Sequence, residues 1–104
     1  MYTRQQIESI LKQILQDTPV KRVVLFGSYA KDNATEESDL DFVIDSDGTL
    51  RGLDFFGVLE TMAQAFRVPV DVIELSQIEA GSRIAHEVEQ TGVIVYETEN
   101  GADS

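Results

Sequence analysis

Hydrophobic residues at the beginning of the chain recur with helical spacing. From about Thr3 to Gln16, one apolar stripe is formed by Ile7, Ile10, Leu11, Ile14 and Leu15. This spacing predicts an amphipathic helix, and Thr3 with Gln6 can begin it as a capping box. Pro19 follows, and we expect the helix to end before it.

The rest of the chain alternates between β-rich runs and helical patterns. The predicted strands cover about residues 20–26, 40–44, 68–73 and 93–96. A second helix is predicted at about 53–66 and a third at about 76–90. The third begins with a Ser76/Glu79 capping box and ends before Gly92, and Gly81 leaves a break within it open. Ile84, Ala85 and Val88 should form the inner face of the third helix.

The order of these elements is helix, strand, strand, helix, strand, helix, strand, and it favours an α+β fold in which helices cover a small sheet. A length of 104 residues fits a single domain. We assign that domain to residues 1–96 and interpret residues 97–104 as an acidic flexible tail.

Composition narrows the classes of partner and compartment. The formal net charge of −11 disfavours direct binding to nucleic acid or an anionic membrane, because such binding depends on excess Lys and Arg. It favours a basic protein partner or a metal-complexed substrate, although a role in solubility alone stays open. The chain has no cysteine, no signal-peptide pattern and no apolar run of the roughly 18 residues that a membrane span needs. We therefore expect a cytoplasmic protein.

Three aspartates in strand contexts form the candidate catalytic group. Asp39 and Asp41 lie two positions apart on one predicted strand, so their side chains point to the same face. Asp71 lies within a later apolar strand, where desolvation disfavours a carboxylate. Two carboxylates about 4 Å apart repel by roughly 4 kcal/mol at an effective dielectric of about 20, and a divalent cation reverses this penalty. Carboxylate oxygens suit Mg²⁺ or Mn²⁺, so the three aspartates are candidate metal ligands.

A glycine–serine pair directly after the first predicted strand is the candidate phosphate site. Gly27 lets the backbone approach a bulky anion without a Cβ clash, and Ser28 adds a hydroxyl and a backbone N–H. If a helical turn begins here, its first N–H groups favour a phosphate. A phosphate site beside a carboxylate cluster indicates phosphoryl or nucleotidyl transfer, in which positioning and charge neutralisation do most of the catalysis.

Taken together, these motifs resemble the polymerase-β-like nucleotidyltransferase superfamily. Its signature is Gly-Ser, ten residues and Asp-x-Asp, and the matching segments here are 27–30, 38–43 and 70–73. Within the superfamily, the chain is similar to the minimal stand-alone members, the MNT-type antitoxins of HEPN/MNT toxin–antitoxin pairs. The resemblance implies a minimal nucleotidyltransferase fold, a short mixed β-sheet packed with helices.

The resemblance also implies roles for the aspartates and a reaction. Asp39, Asp41 and Asp71 would be catalytic and would bind two Mg²⁺ ions, with Mn²⁺ as an alternative. Asp71 would also assist deprotonation of the incoming hydroxyl, as a metal ligand or as a base. The implied reaction moves NMP, most simply AMP from ATP, onto a hydroxyl acceptor. In some antitoxins of this type, the acceptor is a tyrosine of a partner HEPN ribonuclease, and the resemblance implies the same acceptor here.

The triphosphate contacts implied by the resemblance are Gly27, Ser28 and Lys31. Many relatives carry Arg-Gly after Gly-Ser-x-Ala, whereas this chain carries Lys31 and Asp32. Lys31 keeps the positive charge and loses the bidentate fork of arginine, and Asp32 adds negative charge near the phosphates.

Two other functions stay open. In the first, the acidic chain neutralises a basic ribonuclease by binding, and catalysis is incidental. In the second, the transferase acts on a small-molecule acceptor or a tRNA end. The short chain argues against it, because we expect no second domain to build an acceptor pocket, although an oligomer or a partner could supply that surface. The sequence leaves homo-oligomerisation undecided.

Overall fold

The computed structural model describes residues 2–31 and 33–98, and the elements within them follow the predicted order. These elements are α1 (Arg4–Ile14), β1 (Arg22–Phe26), β2 (Leu40–Asp45), α2 (Gly52–Ala65), β3 (Val70–Glu74), α3 (Arg83–Thr91) and β4 (Val93–Glu97). Apart from the beginning of α3, every boundary lies within about two residues of its prediction. The capping box of Thr3 and Gln6 at the beginning of α1 is confirmed.

The four strands form one mixed sheet in the order β3-β2-β1-β4. The β1 strand pairs antiparallel with both β2 and β4. The β2 and β3 strands are parallel, and the chain between them passes through α2, as a parallel connection requires. The α+β fold with a short mixed sheet is therefore confirmed.

The sheet has one face on the main core and one face under α3. Leu40, Phe42 and Ile44 of β2 are buried in the core that includes residues of α1 and α2. Because side chains alternate along a strand, Asp41 and Val43 point to the opposite face. The α3 helix packs against that second face, where a Cβ on Gly92 would lie 2.8 Å from the Val24 side chain. Gly92 is the C-cap of α3, so its predicted role as terminator is confirmed.

The predicted capping box of Ser76 and Glu79 is wrong. Ser76 lies in a short 3₁₀ turn, Leu75–Gln77, because its N–H donates to the Glu74 carboxylate at 2.8 Å. The α3 helix begins after Ser82, whose hydroxyl accepts the Ala85 N–H at 3.2 Å. The helix is therefore about seven residues shorter at its beginning than the full predicted range, and it begins just after the break left open near Gly81. Ile84 is 37% exposed rather than on the inner face.

Glu74 is a buried carboxylate that ties β3 to the loop after β2. It is 3% exposed, and it accepts hydrogen bonds from the Ser46 hydroxyl and from the Ser46 N–H, the latter at 3.0 Å. Burial raises the pKa of Glu74, but the hydrogen bonds from Ser46 and Ser76 outweigh burial and hold the pKa below its ordinary value. Folding therefore stabilises the ionised form of Glu74 over the protonated form.

We expect Glu74→Ala to lower the free energy of unfolding by about 2–3 kcal/mol, because it leaves buried donors of Ser46 without their acceptor. Since the pKa of Glu74 is lowered on folding, its contribution is present above the unfolded-state pKa of about 4.3 and is lost as the pH falls through the folded-state pKa. Urea unfolding at pH 7 tests the size of the effect. The exposed Glu79→Ala variant should unfold close to wild type, and equal midpoints for the two variants would contradict the prediction.

Two predictions fall at or beyond the limits of the described residues. The β4 strand reaches Glu97, one residue past the predicted domain boundary, and Arg22 Nε donates to Glu97 Oε2 at 2.6 Å. Residues 99–104, most of the predicted tail, lie outside the described residues. Asp32 also lies outside them. Among the helices that the structure describes, none is both long and apolar enough to cross a membrane.

Candidate active site

Gly27 ends β1 in a conformation that side-chain-bearing residues rarely adopt. Its φ is +78°, and a Cβ at this position would lie 2.5 Å from Asp41 Oδ2. Phe26, the last residue of β1, pairs with Asp41 of β2, which brings the two segments together. Glycine is therefore required here for two reasons: the left-handed backbone and the close approach of the Asp41 carboxylate.

The chain after Gly27 forms a helical turn, the conformation expected at the candidate phosphate site. The Lys31 N–H donates to the Gly27 carbonyl at 3.2 Å, and the Asn33 N–H donates to the Ser28 carbonyl at 3.2 Å. Tyr29 is 9% exposed and joins the core, so its ring anchors the turn. As at the beginning of any helical turn, the first N–H groups, starting with that of Ser28, have no acceptor within the turn.

Asp41 and Asp71 lie side by side on neighbouring strands. They are register partners in the parallel β2–β3 pair, and register partners point to the same face of a sheet. Asp39 lies just before the first residue of β2 and is exposed, as is Asp71, whereas Asp41 is half-buried. The structure thus brings the predicted carboxylates to one edge of the sheet, with Asp41 innermost and Gly27 against it.

The ionised form of Asp41 is destabilised by its surroundings. Burial, followed by the negative charges of Asp71, Asp39 and Glu87, raises the pKa of Asp41 to about 6. A perturbed carboxyl group beside a glycine turn is typical of a functional site. The same negative field would attract a cation, because a divalent ion removes the repulsion that raises this pKa.

The chemistry of the donors fits Mg²⁺, although the carboxylates are not arranged as a complete metal site. Within residues 2–31 and 33–98, no group of three or more His, Asp or Glu side chains could hold a metal ion in its present geometry. Mg²⁺ commonly takes one or two carboxylates and completes its shell with substrate phosphates. The neighbouring Asp41 and Asp71 suit that mode, and the three-aspartate, two-ion site stays a prediction.

Glu87 of α3 is a fourth carboxylate of the site, and the sequence analysis missed it. Its Oε1 lies 3.6 Å from Lys31 Nζ, and its charge contributes to the raised pKa of Asp41. The signal available in the sequence was its helical position, since Glu87 shares the half-buried face of α3 with Val88 and Thr91. An acidic residue within such a face is uncommon unless it is paired.

Comparisons with known proteins identify the family of this chain. Residues 5–101 match the family described as polymerase beta, nucleotidyltransferase. The protein adenylyltransferase MntA of Thermococcus cleftensis is 31% identical over 85 residues, which cover 78% of this chain and 86% of that protein.

Two solved structures share the fold. A chain of a toxin–antitoxin complex with AMP-PNP matches with a TM-score of 0.73 and 21% identity, over 92% of this chain and 77% of that one. A chain of the complex between a tri-AMPylated Shewanella oneidensis HEPN toxin and its MNT antitoxin matches with a TM-score of 0.69 and 20% identity, over 97% and 78% of the two chains. With a family match over almost its whole length and a glycine turn against paired aspartates in the same fold, this chain belongs to the polymerase-β nucleotidyltransferase family.

Proposed function

We propose that this chain is a protein adenylyltransferase that transfers AMP from ATP to a hydroxyl group, a tyrosine of a partner HEPN ribonuclease, and so acts as an antitoxin. The observation that carries the proposal is the pairing of Asp41 with Asp71 beside the Gly27 turn. The relative from Thermococcus cleftensis is named a protein adenylyltransferase, and a structural neighbour is an MNT antitoxin in complex with an AMPylated HEPN toxin.

In the proposed reaction, the acceptor oxygen attacks the α-phosphorus of ATP. The bond from the α-phosphorus to the oxygen shared with the β-phosphate breaks, and pyrophosphate leaves. Asp71 is exposed on an edge strand of the sheet, where an acceptor hydroxyl can reach it, so it receives the hydroxyl proton. The N–H groups of the turn after Gly27 and the Lys31 ammonium bind the triphosphate.

Asp39, Asp41 and Asp71 are the proposed ligands of Mg²⁺, or of Mn²⁺ in its place. When bound, the metal supplies charge neutralisation at the triphosphate and lowers the pKa of the attacking hydroxyl. Asp41 can serve as a ligand at neutral pH because its pKa, although raised to about 6, leaves it mostly ionised at pH 7.

The position of the radiolabel in ATP tests this proposal. We expect that [α-³²P]ATP with Mg²⁺ labels a purified HEPN ribonuclease encoded beside this chain, and that [γ-³²P]ATP does not, because AMP keeps only the α-phosphate. Labelling should stop when EDTA is added. Label from the γ-phosphate would indicate a kinase, and no label from either ATP, with a functioning relative as positive control, would rule the proposal out.

A second function, neutralisation by binding alone, is favoured by the net charge of −11, which suits a basic ribonuclease surface. The departure at Lys31 and Asp32 also motivates it, although Asp32 lies outside the described residues. The double variant Asp39→Asn/Asp41→Asn separates the two functions. If it still inhibits the ribonuclease at equal stoichiometry, binding suffices, and if inhibition requires the aspartates and ATP, catalysis is the antitoxin activity.

A further inference from the structure

The Lys31 side chain, a proposed triphosphate ligand, already has an anionic partner in the protein. Its Nζ lies 3.6 Å from Glu87 Oε1, and the two side chains are 44% and 34% exposed. The contact joins the turn after β1 to the middle of α3, so it crosses the region between the glycine turn and the helix that flanks it. The Lys31 ammonium must therefore leave Glu87, at least in part, in order to bind phosphate.

Glu87 also lies close to the catalytic carboxylates. Its charge is one of the three that act on Asp41, together with those of Asp71 and Asp39. An anion at this position repels an incoming triphosphate as well as holding the lysine that should bind it. Both effects oppose nucleotide binding, and both originate from one carboxylate.

We propose that Glu87 competes with the triphosphate of ATP for the Lys31 ammonium and thereby sets the affinity of the site for nucleotide. The inference rests on the proposed function and adds a residue to it. In the free protein, Lys31 pairs with Glu87. When ATP binds, the ammonium exchanges this carboxylate for phosphate oxygens, which are the stronger acceptors because they carry more charge.

The exchange is physically accessible. Exposed ion pairs of this length contribute little to stability, because water screens them and two flexible side chains must be held in one geometry. Lysine is a point charge on a flexible stem, so its ammonium can move from one anion to another without any backbone change. An arginine bound through a bidentate fork would lose more on leaving its carboxylate. The lysine at position 31 therefore suits an exchangeable contact.

The test is ATP binding by calorimetry, with Mg²⁺ present, to the full chain and its variants. We expect Glu87→Gln to lower the Kd for ATP roughly two- to fivefold, the range that loss of an exposed ion pair permits. Glu89→Gln is the matched control, since it makes the same change of charge two residues away on the exposed face of α3, and it should leave the Kd unchanged. Both variants should have wild-type circular dichroism.

The competition itself is tested by a double-variant cycle with Lys31→Met. Lys31→Met should weaken ATP binding. In the Lys31→Met background, Glu87→Gln should change log Kd by less than half of the change that it gives in the wild-type background.

If Glu87→Gln and Glu89→Gln change the Kd for ATP equally, Glu87 has no special role. If the full gain persists without Lys31, Glu87 acts only by general repulsion, and the competition is overturned. If the wild-type chain binds no ATP, the proposed function falls together with this inference, whereas the other two outcomes leave the proposed function intact.

Discussion

Asp41→Asn is expected to lower the rate of AMP transfer by about 10³-fold, the upper end of the loss that follows removal of one preorganised electrostatic group. Asp41 is the innermost carboxylate of the site, between Asp71 on the neighbouring strand and the Gly27 turn. Asparagine has nearly the same shape but lacks the charge that a metal ligand requires. Transfer from [α-³²P]ATP under single-turnover conditions measures the effect.

The same substitution should stabilise the folded chain. The pKa of Asp41 is raised to about 6 on folding, from about 3.9 in an unfolded chain, so the folded state binds its proton more tightly. The resulting destabilisation is absent below pH of about 4, grows as the pH rises through about 6, and is complete at pH 8. Water screens the partly exposed carboxylate, so the pKa shift translates into less free energy than it would at a fully buried site. We expect Asp41→Asn to raise the free energy of unfolding by about 1–2 kcal/mol at pH 8.

Asp54→Asn provides the matched control for both effects. Asp54 is exposed in the first turn of α2, where its negative charge interacts favourably with the helix dipole. Its neutralisation should leave transfer unchanged and cost a few tenths of a kcal/mol, opposite in sign to the effect of Asp41→Asn. Urea unfolding at pH 4 and at pH 8 gives the comparison. An Asp41→Asn variant that transfers AMP at the wild-type rate would remove Asp41 from the mechanism.

Most of the fold could be predicted from the sequence because it follows from local periodicity. The apolar stripe of α1 and the β-rich runs determine which residues become helix or strand, and each boundary that depends only on neighbouring residues lies within about two positions of its prediction. The prediction of where α3 begins was wrong because Ser76 has a tertiary partner. Its N–H is held by Glu74, which is itself fixed by Ser46, a residue distant in the chain. A local capping pattern contains no information about that competition.

The candidate site shows the same division. The two-residue spacing of Asp39 and Asp41 and a glycine turn after the first strand could be predicted, because both are local features of the sequence. The close approach of Asp41 to Gly27 could not, because it depends on the pairing of β1 with β2. The place of Asp71 in the site was implied only by the family resemblance, since the register that puts Asp71 beside Asp41 depends on the parallel pairing of two strands. The contact of Glu87 with Lys31 likewise depends on how α3 packs over the sheet.

Gly27→Ala is expected to lower the rate of transfer by at least about 10²-fold, the loss that a displacement of about 1 Å at a reacting centre can cause. The new Cβ would lie 2.5 Å from Asp41 Oδ2, which is too close for any stable contact. The atom in the way is the end of a side chain, so the clash is relieved most easily by rotation of the Asp41 carboxylate. Gly27→Ala should therefore disturb the geometry of the site more than the fold.

The backbone adds a separate cost in stability. Alanine at a φ of +78° is strained by about 1–2 kcal/mol, which urea unfolding should detect. Gly57→Ala is the matched control, because Gly57 lies within α2 and an added Cβ there would meet nothing within 4 Å beyond the backbone of its own helix. That variant should gain roughly 0.5–1 kcal/mol in helix propensity and keep full activity. If Gly27→Ala also keeps full activity, the close approach of Asp41 to the glycine turn has no part in catalysis, whatever the variant does to stability.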